Sequence, residues 1–582
     1  MHPTSTVKKP TWTRKSMNGS RWVLVILPIL LLSSGGPALT ESLNTAPQSL
    51  DSGDFSTSES EWFRADPSIS RYELRPATGL LHSPFGPFDP IIDPIPLGPE
   101  NLFDQFALER TGMLIVQSSS PDLTSMLALL EEFDLEVIDN FPDDSVVVRL
   151  STEGQSTVIQ RLISDVSIRW AGELPISWRV SPYLFSIAGV DGHFLDLDIT
   201  PAPDLDKADI LALSNDMEMI SENSIPRQIC DSHICQPKGV NAAWIPIMAM
   251  DGRILRIDPS AEYVVHNTNA SSIGELQSTR LSSGLTLNGS GEVLAISDTG
   301  LDDDHGDFGN RIRAIYDQYG QDNSHADTNS GHGTHVAATL VGDGAGDSFA
   351  EGMVPGATFH FYQLEADSSG MLARWGSLYE MFSHSWNNNA RIQTNSWGNQ
   401  NLAGDYSSDS RSADSFLVDY PRFLVLFSAG DLASGGITPP GTAKNVLTVG
   451  ASTTGAYGSA PEGNVASSSS RGTTSDGRIK PDLVAPGILI CSARAEEAIL
   501  ANGGECSTSI HGDGQTPLYM TLNGSSMATP VVAGAATMIR QYLRQVESIS
   551  EPRSDLIRAL LINGAKDLGA SDIPNSAEGW GQ

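Results

Sequence analysis

Three short stretches of this chain hold residue types that together perform nucleophilic catalysis. An apolar run from Val293 to Ile296 leads to Asp298 and then Gly300. Gly331, His332 and Gly333 open a run of small residues. Gly524 and Ser525 precede Ser526 at the head of a helical stretch that runs to about Arg544. A serine hydroxyl is a poor nucleophile at neutral pH and needs a base within hydrogen-bond reach. Neutral imidazole suits the task, since it takes the proton and returns it to the leaving amine. A buried carboxylate fixes the imidazole tautomer and stabilises the imidazolium formed in passing. A serine at a helix N-terminus also offers its own N–H to a developing oxyanion. Singly, each stretch has an ordinary explanation as a turn, a surface histidine or a loop. All three, in the order Asp, His, Ser on one α/β region, point to a catalytic triad of Asp298, His332 and Ser526.

The elements that position such a triad are legible around it. Val293–Ile296, Phe423–Phe427 and Asn445–Val449 are apolar strands separated by helical segments, the pattern of a parallel sheet buried on both faces. Chemistry sits at the carboxyl ends of such strands, where Asp298 falls. Upstream, Met113–Gln117, Ser145–Leu150 and Ile168–Trp170 read as strands, and Leu123–Phe133 and Val158–Leu162 as helices, which predicts one or more small α+β modules. Residues 200–265 read as a second lobe with a strand over Val240–Ile245. Residues 267–290 turn polar and Gly/Ser-rich, a domain boundary. No repeat of solenoid or propeller period is visible.

Residues 41–107 are rich in Ser, Pro and acidic side chains and read as a flexible leader. Residues 1–40 carry a basic start, the apolar run Val23–Leu32 and small residues at Ser33–Gly36 and Ala38, the form of a cleavable export signal, with an uncleaved anchor as the alternative. Four cysteines agree with an oxidising compartment. Local bridges, Cys230 to Cys235 and Cys491 to Cys506, are the most economical pairing, and neither a second metal-ligand pair nor a cysteine-protease motif accompanies them. The formal charge of −35, from 70 acidic and 35 basic side chains, repels nucleic acid and anionic membrane surfaces.

The motifs Asp298-Thr-Gly, Gly331-His332-Gly-Thr-His and Gly524-Ser525-Ser526-Met-Ala-Thr-Pro resemble the three signatures of the subtilases. Thr394–Gly398, Gly441–Asn445 and Ser468–Gly487 extend the likeness, which in detail is nearest the large oxidation-resistant alkaline subtilisins of bacilli. The resemblance implies an α/β subtilisin fold, a mainly parallel sheet with helices on both faces, as a catalytic domain over 267–582. Relatives continue past Gln582, so a truncated C-terminus is expected. It also implies an α+β pro-segment over 108–266 that assists folding and inhibits until removed, with the maturation cut near His266–Ala270. The implied function is a secreted, extracellular serine endopeptidase, monomeric, acting on protein or peptide substrates through an acyl-enzyme, with no membrane attachment once the signal is gone. Ser396, Trp397 and Gly398 would bind substrate backbone, and Ala429, Gly430 and Thr438 would shape the primary pocket. Structural calcium is implied as well, with Asp307 matching a family ligand within the acidic cluster Asp302, Asp303, Asp304.

One position departs from the pattern. The family has Asn where this chain has Asp431, and a carboxylate cannot donate to an oxyanion. Either Asp431 is held protonated and donates as an acid, or the enzyme relies on the Ser526 N–H, or the chain is a catalytically impaired binding protein. A selective processing protease is the other enzymatic alternative to a general degradative one.

Overall fold

The computed structural model describes residues 79–98 and 112–582, except 121, 142, 151–154, 222–228, 261–262, 266–286, 318–319, 321, 375, 456–462, 502 and 570–571. The export signal, most of the leader and the expected maturation site therefore lie outside the described residues. Within the stretch read as leader, β1 (Leu81–Ser83) and β2 (Gly86–Phe88) pair as a hairpin. Its Leu81 and Phe88 are buried, which explains why a Pro-rich segment has a fixed path here.

The first module follows: β3 (Met113–Ser118), α1 (Thr124–Glu132), β4 (Val137–Phe141), β5 (Ser145–Arg149), α2 (Gln155–Leu162) and β6 (Ile168–Glu173). Its antiparallel sheet has the order β4-β5-β3-β6. Alternation along the strands sends side chains to opposite faces. Leu114, Val116, Val146 and Val148 pack under the helices with Met126, Leu130 and Leu162. Met113, Ile115 and Val147 face the other way and meet Leu81, Phe88 and Trp178. Strand β4, absent from the sequence reading, is an edge strand on which only Ile138 is buried, so its hydrophobic signal is weak.

A second module has the same order of elements. Strand β7 (Leu197–Pro201) is followed by α3 (Lys207–Ile220), whose N-cap Asp206 accepts from the Ala208 and Asp209 amides. The chain then doubles back through Cys230 and Cys235, and Cys235 bridges to Ile199 of β7. Helix α4 (Ile245–Ala249) and β8 (Ile254–Pro259) complete it, with β8 antiparallel to β7. The lateral order, β8, β7, the Cys235 arm, the Cys230 arm, reproduces that of the first module. The expected strand over Val240–Ile245 is corrected: Val240–Asn241 is extended, but Asn241 caps a short helical turn and Pro246 in the first turn starts α4. After β8, the short strand β9 (Tyr263–Val265) ends the region.

The rest of the chain builds on seven parallel strands: β10 (Val293–Asp298), β11 (Ile312–Tyr316), β12 (Thr358–Gln363), β15 (Ile392–Asn395), β17 (Leu424–Ser428), β18 (Leu447–Ser452) and β19 (Leu483–Pro486). Between them lie β13 (Glu365–Ala366), β14 (Met371–Leu372) and β16 (Trp397–Asn399). The order β11-β12-β10-β15-β17-β18-β19 places the change of winding direction between β10 and β15. Helices α5 (His332–Val341), α8 (Ser525–Gln545) and α9 (Ser554–Gly564) cover one face, and Val336, Ala337 and Ala533 pack on Ile296 and Phe361. Helices α6 (Leu378–Asn387) and α7 (Ser408–Asp419) cover the other, with Phe382 and Phe416 against Trp397 and Phe427. This is the α/β architecture expected from the sequence. Both cysteine pairs are bridged locally, and among the described residues no helix is long and apolar enough to cross a membrane.

Candidate active site

Asp298 ends β10, and Ser396 directly follows β15 on the neighbouring strand, in line with Asp298 by the parallel register Ser297–Asn395. The crevice at such a change of winding is where α/β sheets carry ligands. His332 is the first residue of α5, reached through Gly331 in the left-handed region at φ 70°. Its Nδ1 is hydrogen-bonded to Asp298 Oδ1, which also accepts the Thr299 N–H at 2.9 Å. That contact assigns the proton to Nδ1 and leaves Nε2, buried and without a protein hydrogen-bond partner among the described residues, as the basic nitrogen.

Ser526 lies in the first turn of α8, and Pro530 explains how it is seated. Proline has no N–H, so the Ser526 carbonyl loses its helical partner. The Ser396 hydroxyl donates to that carbonyl at 2.8 Å, and the Ser526 hydroxyl donates to the Ser396 carbonyl at 2.8 Å. The nucleophile candidate is thereby tied to the residue beside Asp298. All three triad candidates are fully buried.

The residues expected to contact substrate converge on the same end of the sheet. Trp397 is buried, its indole N–H donating to Ser297 O at 3.0 Å. Thr438 stands between Gly398 and Gly430: a Cβ on Gly398 would come within 2.4 Å of Thr438 Oγ1, and one on Gly430 within 2.8 Å of Thr438 Cγ2. The Thr438 amide donates to Ala429 O at 3.0 Å, closing the turn. Along this edge runs β9. Its backbone pairs antiparallel with β16, Tyr263 to Asn399, Val264 to Gly398 and Val265 to Trp397, and on its other side Tyr263 pairs with Leu372 of β14.

Asp431 lies beside the N-terminus of α8. Its Oδ1 accepts the Ser525 N–H at 3.0 Å, while Oδ2 is buried without a hydrogen-bond partner among the described residues. Burial pushes its pKa up to about 6, against the lowering effects of the hydrogen bonds with Ser525 and of nearby His332. Ser525, which motif reading passed over, also accepts the Gly430 N–H at 3.1 Å and so joins the nucleophile's helix to the Gly430–Asp431 loop.

A second unforeseen group steadies His332. Thr299 Oγ accepts the Gly333 N–H at 2.7 Å and donates to Asp327 Oδ1 at 2.9 Å, and Asp327 Oδ2 accepts the Thr334 N–H at 2.8 Å. An acid five residues before His332 is the only sequence signal of it. Thr299→Val strands both partners in a buried site, so urea unfolding is expected to show a loss of about 2 kcal/mol.

Asp307 is buried and accepts the Tyr519 hydroxyl at 2.6 Å on Oδ1. Among the described residues no group of three or more acidic, His or Cys side chains is placed to hold a metal ion. The other carboxylate oxygen, Oδ2, is buried and has no hydrogen-bond partner among the described residues.

Residues 289–581 match the family model described as the subtilase family. A protein of Dictyostelium discoideum named serine protease/ABC transporter B family protein tagB is 30% identical over 386 residues, covering 49% of this chain and 20% of that one. Serine protease AprX of Bacillus subtilis is 32% identical over 303 residues, 50% of this chain and 65% of its own length. The alkaline protease of Alkalihalobacillus alcalophilus is 28% identical over 348 residues, 57% and 77% respectively. The chain thus spans about a fifth of the length of the Dictyostelium relative. With half of its length matched, and with the parallel sheet and the Asp298–His332 contact in place, the chain belongs to the subtilase family.

Proposed function

We propose that the protein is a secreted serine endopeptidase, made as a precursor that cleaves itself. Ser526 attacks the substrate carbonyl as His332 Nε2 takes its proton. Asp298 holds Nδ1 and stabilises the imidazolium. The oxyanion meets the Ser526 N–H and, when Asp431 is protonated, the Asp431 O–H. Return of the proton from His332 expels the amine and leaves an acyl-enzyme, which water opens by the same route. Thr438, crowded by Gly398 and Gly430, supports a primary pocket of limited depth.

The observation that carries this reading is β9. The chain's own upstream segment is paired as a strand between β14 and β16, as a peptide substrate adds a strand to a sheet edge. Val265, the last described residue of β9, pairs with Trp397, the neighbour of Ser396, whose carbonyl accepts the Ser526 hydroxyl. This supports His266–Asn267 as the maturation bond. Sequencing the mature N-terminus is expected to begin at Asn267; a start elsewhere refutes the register, and an uncut chain refutes self-processing.

A further inference from the structure

Between β19 and α8 the chain forms an antiparallel hairpin of β20 (Ile490–Ala493) and β22 (Tyr519–Leu522), with β21 (Gly504–Glu505) on the other edge of β22. Strand β22 leads through Asn523 and Gly524 into Ser526, and the Cys491–Cys506 bridge ties the long connection near its base. That connection reaches back to the segment before His332. The Ile499 N–H donates to Thr328 O at 2.9 Å and the Leu500 N–H to Asn329 O at 2.7 Å. Glu497 Oε1 accepts the Asp327 N–H at 3.0 Å, and the Glu496 N–H donates to Asp302 Oδ2 at 2.9 Å. The Arg494 guanidinium braces the same turn, donating to the Ala495 and Ala498 carbonyls at 3.1 and 3.2 Å. A Cβ on Gly331 would come within 3.2 Å of Ala498 Cβ, so the turn lies directly against the residue before His332.

On this fixed backbone two adjacent apolar side chains stand out in water, Ile499 80% exposed and Leu500 66%. Leaving them there forgoes the gain of burying them. Single apolar residues on a surface need no explanation. A neighbouring pair, pinned by its own main chain beside His332, forms a ledge for an apolar ligand. We propose that Ile499 and Leu500 select a large apolar side chain in the part of a polypeptide substrate that follows the scissile bond. The proposal deepens the endopeptidase reading above and rests on it.

The side of the bond is set by what flanks Thr328 and Asn329. Asn329 Nδ2 donates to Asp367 O at 3.1 Å, and a Cβ on Gly370 would come within 3.1 Å of Asn329 Cγ. One flank therefore carries the turn between β13 and β14, and β14 pairs with β9, which leads up to the proposed cut. Ile499 and Leu500 hold the other flank, on the connection that runs into Ser526. Residues before the bond are served by β14 and β16, which leaves the ledge to those after it. Because its main-chain bonds are already made, a side chain that lands there meets a preorganised surface. The chain's own residues after the proposed cut, Asn267-Thr-Asn-Ala, are small or polar, so the ledge suits other proteins better than self-cleavage.

The test uses quenched fluorescent peptides of one sequence, with Leu or Ser at each of the first two positions after the cut. A second pair carries Leu or Ser at the second position before it. The wild-type chain is expected to favour Leu after the cut by about tenfold in kcat/KM, the lower end for a hydrophobic contact. Ile499→Ser with Leu500→Ser should abolish that preference, while the Leu-to-Ser ratio before the cut changes less than twofold. Ile499→Leu with Leu500→Ile should retain it, which a general loss of folding or activity would not allow. A preference that survives the serine variant, or an equal change before the cut, overturns the proposal. Cleavage by the wild type with no preference after the cut refutes this inference alone; cleavage of none of the peptides refutes the endopeptidase reading and this one with it.

Discussion

Ser526→Ala is expected to lower peptide hydrolysis by about a millionfold and to leave the precursor uncut. The corresponding loss is a worked case for subtilisin, a member of the same family, where removing the nucleophile costs about as much as removing the whole triad. The cause here is that alanine removes the attacking oxygen, which in Ser526 sits in the first turn of α8 and is tied through Ser396 to the strand beside Asp298. Alanine keeps the Ser526 carbonyl and its bond from Ser396, so the fold should persist. Hydrolysis of a chromogenic peptide and precursor mass are the measurements. A variant that still trims itself at the parental rate would remove Ser526 from the mechanism.

Asp431→Asn has the second largest expected effect, and its sign depends on pH. The carboxyl, pushed up to about 6 by burial, is mostly protonated below that pH and can donate to the oxyanion. Above it the group becomes a carboxylate whose charge opposes the oxyanion. Asparagine donates at every pH, and in subtilisin loss of the donor at this position costs ~10²–10³ in turnover. The ratio of kcat for Asp431→Asn over wild type should therefore stay near one at pH 5. It should rise about tenfold per pH unit above 6, and level off near ~10². A ratio that is flat from pH 5 to 9 would show that Asp431 takes no part in stabilising charge.

The triad was legible because each member sits where glycine or an apolar run announces a strand or helix end: Gly331 at φ 70° before His332, Gly524 at φ 134° before α8, and Val293–Ile296 before Asp298. The supports were not. Thr299 and Ser525 lie inside the motifs and Asp327 shortly before His332, but their roles are contacts between segments far apart in sequence, which local pattern does not show. The doubled module was hidden for a related reason. Hydrophobic pattern reports which faces are buried against apolar neighbours, and the two copies differ in that respect, Met113 and Ile115 outward in one and Asp198 in the other. Shared topology left no shared periodicity. The register of β9 could not be read at all, since it is set by pairing with β16 across more than a hundred residues of chain.

The seating of β9 also changes what dilution does. While the chain is continuous, the upstream modules meet the cleft at an effective concentration fixed by the connecting residues, of the order of millimolar for short flexible links. If the chain is cut before Asn267 as proposed, the same contacts must be made by two separate molecules, and their occupancy follows total protein concentration. On that reading a crowded pool of processed protein is expected to stay silent and to become active as it spreads into a larger volume.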